Sequence, residues 1–352
     1  MVSGFALGFI VLCLVVYILN VARAIMIPFV IAVFVWYLIN AMARGLGKIP
    51  LGRIKIPRFL CFALAILLLV LGMWEIFELI SQNVSAVAKA APFYQQHLEE
   101  MMLKITLLFH MEHQPTIKEL LGYLDLGTLL TVMVKMLSGI AGKAVVVMFY
   151  TGFLLYEQQF FDNKIAGMLS DHRTEEHIRH ILHNIDRKVQ RYIWVKTFVS
   201  ALAGIFTFVL LSFWNVDFAA FWGLMAFFLN FIPYVGSLVS IILPATIALV
   251  QFNDLPAFLG VLTLLTALHG IIGHGLDPFL MGKNLNLSPI FIISSLAMWG
   301  MIWGVPGMFL SIPILAMTAI TLAQFPATRP LAILLSKTGM IDTDEPEKKT
   351  AE

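Results

Sequence analysis

Long apolar runs parted by short polar joints set the rhythm of this chain. Gly4 to Leu19 and Ala24 to Ala41 open it with only Asn20-Val21-Ala22-Arg23 between them, which predicts a tight helical hairpin. Further runs cover Phe59 to Ile80, Gly139 to Tyr156, Thr197 to Trp214 and Pro256 to Leu276. Each is close to the roughly 20 residues that carry an α-helix across a bilayer. Two longer blocks, Ala220 to Val250 and Ile290 to Phe325, are apolar but interrupted. Asn230, Pro233, Gly236 and Pro244 fall inside the first, and Gly304-Val305-Pro306-Gly307 inside the second. An internal proline removes a backbone donor and collides with the preceding turn. Broken backbone at membrane depth persists only where protein buries it or where it lines a watery cavity. Both blocks are therefore predicted to run there and back as broken or re-entrant helices, and both are candidate transport sites.

Two stretches follow a different period. Between 81 and 138, Tyr94, Leu98, Met101, Ile105 and Leu108 recur at helical spacing behind Pro92, and Pro115 opens a second such segment. These helices are too polar to span and are expected to form an outward-facing amphipathic region. In 158–196, Ile178, Ile181, Leu182, Ile185, Val189, Tyr192 and Ile193 form an apolar stripe. The opposite face is basic, which predicts an amphipathic interfacial helix running into the next span. The chain thus divides into 1–80 with three spans, the outer region 81–138, a fourth span at 139–157, the amphipathic helix 158–196, a C-terminal membrane domain 197–327 and a polar tail 328–352. Ser288 with Pro289 behind it marks a helix start, Asp217 is expected to cap the first broken block, and Pro278 is expected to break the helix beside Asp277.

Composition and charge sharpen the class. Of 352 residues, 60% are hydrophobic and 12% charged, against about 25% charged in a soluble domain. The fold is predicted to be all-α: a polytopic membrane protein of about eight membrane segments, with the bilayer as its first partner. A net charge of +2 gives no footing for nucleic acid. The basic residues read instead as topology markers. Arg44, Lys48, Arg53, Lys55 and Arg58 occupy one short loop without an acid, which places that loop and both termini in the cytoplasm. Cys13 and Cys61 lie in apolar segments and read as small buried hydrophobes.

Candidate chemistry is sparse. Glu75, Glu78, Glu157 and Asp277 all fall near the ends of spans, where a carboxylate costs little. Asp277 stands out because Pro278 follows it. His269 and His274 are five apart and do not share a helical face, so His269 reads as a polar element of a pathway rather than a metal ligand. His177, His180 and His183 read as a solvated face. No HExxH, GxSxG or Walker A pattern occurs, so an enzyme is not expected, nor is a metal or another cofactor.

Leu229-Asn230-Phe231-Ile232-Pro233-Tyr234-Val235-Gly236 resembles the N-x-I-P-x-x-G signature of the autoinducer-2 exporter family, a family of permease-like membrane proteins. Asp277-Pro278 with Gly282, Leu287-Ser288-Pro289, and Trp299 through Met308 resemble its further signatures, in order and approximate spacing. The family more often carries Glu where this chain has Asp277, which shortens the side chain by one methylene. The resemblance implies a bacterial inner-membrane transporter, a homo-oligomer with a pentamer among the candidate assemblies, and export of a small hydrophilic quorum-sensing signal such as autoinducer-2. For some members it implies sodium(lithium)/proton antiport, with a cation as the solute. An oligomeric membrane scaffold is the alternative of another class. The expected substrate pathway comprises Asn230, Pro233, Tyr234, Gly236, His269, Asp277, Pro278, Pro306 and Gly307.

Overall fold

The computed structural model of the chain describes residues 2–47, 57–108, 139, 142–168, 172–281 and 286–339, and among them the regular elements are all helices. In chain order these are α1 (Val2–Val21), α2 (Arg23–Gly47), α3 (Arg58–Leu108), α4 (Ala144–Glu157), α5 (Phe161–Met168), α6 (His172–Phe213) and α7 (Ala219–Leu229). There follow α8 (Val235–Phe252), α9 (Leu255–Gly270), a π-helical segment (Ile271–Leu276), α10 (Asp277–Met281), α11 (Pro289–Trp303), α12 (Val305–Gln324) and α13 (Arg329–Leu335). Among the described residues, six helical stretches are long and apolar enough to cross a membrane: Arg23–Gly47, Arg58–Asn83, Ile178–Phe213, Val235–Phe252, Leu255–Leu276 and Val305–Gln324. Two shorter apolar helices, α7 and α11, accompany them. The chain is an all-α, multi-pass membrane protein.

The helices group into two compact units. The first comprises Met1–Lys48, Val146–Val195 and Phe279–Glu352. Val189, Tyr192 and Ile193, from the apolar stripe on α6, pack there with Leu287, Ile312 and Ala316. A second cluster joins Ile27 to Ile302, Trp303 and Leu310. Polar side chains pin these contacts. The indole nitrogen of Trp303 donates to the Leu19 carbonyl at 3.0 Å. Gln158, in the short 3-10 turn after α4, accepts from Trp36 at 2.8 Å and from Asn40 at 3.2 Å. The segment after 328, expected as a polar tail, opens instead with α13. Ser288 donates its N–H to the Leu335 carbonyl at 2.8 Å, and Lys337 donates to Asn286 at 2.9 Å. Arg329–Leu335 reads RPLAILL, apolar enough to bury Ala332.

The second unit comprises Ile49–Val145 and Lys196–Pro278. Its core is Phe221, Trp222 and Met225 of α7 with Ile247 and Val250 of α8 and Leu265 of α9. Ile76 of α3 packs against this core. Helix α3 runs without interruption over 51 residues to Leu108, so Pro92 lies inside it rather than at a new helix start. The alanine- and glutamine-rich stretch around Pro92 favours helix strongly enough to carry the chain through one missing donor. Residues 109–138, which hold the second expected outer helix, lie outside the described residues. Cys61 is buried as expected, whereas Cys13 faces outward from α1, a helix apolar on every side.

Helix α6 is also long, with 42 residues and so a length of roughly 63 Å. Its first half carries the amphipathic stripe and its second half the apolar span, with no break between them. It approaches α7 closely at two glycines: a Cβ on Gly204 would sit 2.7 Å from the Gly223 carbonyl oxygen, and one on Gly223 2.8 Å from that of Gly204. Small residues at such crossings let membrane helices meet backbone to backbone. Replacing Gly204 with valine is expected to destabilise the detergent-purified protein by about 1–3 kcal/mol in thermal unfolding. Gly72→Val, where nothing lies within 4 Å, is the matched control.

Candidate functional site

The first broken block folds as a helical hairpin. Helix α7 has 11 residues and so extends roughly 16 Å, about half the hydrocarbon thickness. It ends at Leu229, and the chain turns through Asn230 to Tyr234 before α8 begins. The cap position expected at Asp217 falls one residue later, on Phe218. The Asp217 N–H is taken by the Gln251 side chain at 2.7 Å, and Gln251 also donates to the Asn215 carbonyl at 2.8 Å. Phe218, with φ of 59°, becomes the residue that starts α7.

Within the turn, the Val235 N–H bonds back to the Pro233 carbonyl at 2.6 Å. Tyr234 between them has φ 61° and ψ −58°. This is a γ-turn of the strained hand, rare for a residue with a side chain. The tyrosine is 61% exposed, so burial of its ring does not compensate that strain. Gly236 then passes against the end of α7, where a Cβ would lie 1.7 Å from the Leu229 carbonyl oxygen. Only glycine permits this return.

Asn230 is buried and donates from Nδ2 to Ser200 Oγ of α6 at 3.0 Å. His269 is buried on α9, with Nε2 3.4 Å from Thr207 Oγ1; the imidazole tautomer decides which atom donates. His274 is exposed and lies near its own helix carbonyl at Gly270, so the two histidines do not meet. Asp277 accepts from Lys196 Nζ at 2.8 Å through Oδ2. Lys196, Ser200 and Thr207 recur at i, i+4 and i+11 along α6, which sets them on one face over roughly 16 Å. One helix face therefore meets three of the expected pathway residues. That face is not visible from local sequence: Lys196 closes the basic stretch of the interfacial helix, and its partner is 81 positions away. The signal available was three polar residues, Lys196, Ser200 and Thr207, in register on one face of an otherwise apolar span.

Asp277 also corrects the expected helix break. Pro278 does not end the helix, because α10 runs on from Asp277 to Met281. The irregularity lies upstream in Ile271–Leu276, where the Asp277 N–H reaches back five residues to the Ile272 carbonyl. A proline at 278 has no N–H for residue 274 and crowds that carbonyl. A widened π turn immediately before it relieves both problems. Such turns are rare and occur frequently at functional sites.

The second broken block belongs to the first unit. Ser288 and Pro289 start α11 as expected, and Gly304, with φ of 68°, turns the chain into α12. Pro306 sits in the first turn of α12, where its missing donor costs nothing. Gly307 repeats the role of Gly236: a Cβ would lie 1.9 Å from the Trp299 carbonyl oxygen. Pro306 and Gly307 are thus helix-start and packing residues in one unit, while Asn230, Pro233, Tyr234, Gly236, His269, Asp277 and Pro278 belong to the other. Among the described residues no group of three His, Cys, Asp or Glu is placed to hold a metal ion.

Residues 7–327 match the family described as AI-2E family transporter. The AI-2 transport protein TqsA of Escherichia coli K12 is 29% identical over 319 residues, 90% of each chain. A putative transport protein of Haemophilus influenzae is 26% identical over 327 residues, 90% of this chain and 91% of its own. The putative transport protein YhhT of Escherichia coli K12 is 23% identical over 321 residues, 90% of this chain and 89% of its own.

Two outcomes follow from the hairpin geometry. Gly236→Ala and Gly307→Ala are each expected to lower stability by about 2 kcal/mol or more, whereas Gly273→Ala, with nothing within 4 Å, is tolerated; thermal unfolding in detergent compares the three. Tyr234→Gly relieves a positive φ and is expected to raise stability by about 1 kcal/mol, read by the same melt.

Proposed function

The chain belongs to the AI-2E transporter family, and from that premise we propose that it is a secondary carrier exporting a small hydrophilic signal molecule such as autoinducer-2 from the bacterial cytoplasm. The observation that carries this reading is the polar face of α6, where Lys196, Ser200 and Thr207 meet Asp277, Asn230 and His269 inside an apolar unit. A neutral solute bearing hydroxyls exchanges hydrogen bonds with such a face one group at a time. It therefore avoids the full cost of entering hydrocarbon bare. The turn from Asn230 to Tyr234 adds an exposed phenol at the start of α8. The name of the TqsA relative supports the choice of autoinducer-2, since that protein is called an AI-2 transporter.

The carrier works in the inner membrane with both termini in the cytoplasm, a placement supported by the acid-free basic loop between Arg44 and Arg58. It functions as a homo-oligomer, for which the family resemblance suggests five copies. Asn230→Ala and Asp277→Asn are each expected to reduce uptake of a labelled autoinducer-2-like sugar into everted vesicles by roughly tenfold, the loss of one hydrogen bond to a charged or buried partner. Unchanged uptake in both variants would sink this pathway. Sodium-driven collapse of a pH gradient without sugar movement would replace it with an antiporter.

A further inference from the structure

Lys196 and Asp277 set two opposite charges together with little access to water. Their side chains are 9% and 20% exposed, whereas Arg179 pairs with an Asp162 that is 83% exposed. The pair lies where α6 begins its apolar half and where the π-helical segment hands over to α10. One carboxylate oxygen, Oδ2, is occupied by the ammonium at 2.8 Å. The other, Oδ1, is buried and has no hydrogen-bond partner among the described residues. The other side chains that meet on this face of α6 (Ser200, Asn230, Thr207 and His269) carry no negative charge. Asp277 is therefore the one anion on the face, and Lys196 cancels it.

An isolated carboxylate in a poorly solvated place must find compensation, by a bound cation or by a proton. The free valence at Oδ1 makes Asp277 a ready cation ligand once the ammonium is gone. We propose that Lys196 is the specificity-determining residue of the pathway: by neutralising Asp277 it keeps the polar face open to neutral solutes and closed to small cations. This rests on the pathway reading given above. It also accounts in physical terms for how one scaffold can serve either a neutral solute or a cation, since the difference reduces to whether the carboxylate has a fixed counter-ion.

The test uses the full-length chain in proteoliposomes, with radioactive sodium and a labelled autoinducer-2-like sugar followed in the same vesicles. Wild type and Lys196→Arg, which keeps the charge, are expected to be tight to sodium. Lys196→Gln is expected to raise sodium uptake by roughly tenfold or more, equivalent to about 1.4 kcal/mol, and the double variant Lys196→Gln/Asp277→Asn to restore tightness. Asp277→Asn alone leaves the ammonium unpaired, and the expected gain there is in chloride rather than sodium. Should Lys196→Gln fail to fold, the chloride measurement on Asp277→Asn decides. Sodium tightness in a folded Lys196→Gln, or chloride tightness in Asp277→Asn, overturns the proposal. Absence of sugar flux in the wild type would instead remove the pathway reading, and the ion measurements would stand by themselves.

Discussion

Hydrocarbon offers no hydrogen-bond partner, so each polar group this chain buries must be met from within. That constraint explains most of the side-chain hydrogen bonds that join distant helices. Asn230 finds Ser200, His269 finds Thr207, Lys196 finds Asp277, and Ser295 donates to the Ser311 carbonyl at 3.1 Å. Each bond joins helices that apolar packing alone would leave free to slide, because lipid tails compete with leucine and valine on equal terms. Where the constraint is not met, the exceptions are confined. Thr197 Oγ1, Trp222 Nε1, Ser240 Oγ and Asp277 Oδ1 are buried without a partner among the described residues, and all four lie in the second unit.

The same constraint shapes the two hairpins. Breaking a helix frees backbone groups, and the chain limits the damage by keeping each break short and folding the second helix hard against the end of the first. Gly236 and Gly307 perform this closure in the two units without any shared sequence around them. The carbonyls they approach, at Leu229 and Trp299, are close to the ends of α7 and α11. Physical necessity is enough to produce the likeness.

Much of this architecture was legible in the chain. Run length gave the spans within Arg23–Gly47, Arg58–Asn83, Ile178–Phe213 and Leu255–Leu276, Ser288-Pro289 gave the start of α11, and the interrupted blocks marked both hairpins. The pairing of side chains was not legible. Nothing near Lys196 announces a partner 81 residues on, and a lysine at the edge of a basic amphipathic helix looks like any other. Asp217 misled for a related reason: a local rule favours it as a cap, but a long-range contact to Gln251 at the far end of α8 fixes the turn here. The helix starts one residue later, at Phe218 with φ of 59°. Pro278 misled because the strain it creates is absorbed one turn earlier, by a change of helical pitch that leaves no mark in composition. Local signals located the breaks, and long-range contacts decided what the breaks do.

Helix α6 has a further implication for how such a chain can change over time. It runs unbroken from His172 to Phe213, and its three polar contacts depend on a shared angular position. Each added or lost residue in an α-helix turns everything beyond it by about 100°. A single-codon insertion between Lys196 and Thr207 would therefore swing the later partners towards lipid while leaving the earlier ones in place. Substitution can vary the polarity of this face gradually, but length variation within it cannot. Insertions and deletions in descendants of this gene should accumulate in the joints between helices and spare this span.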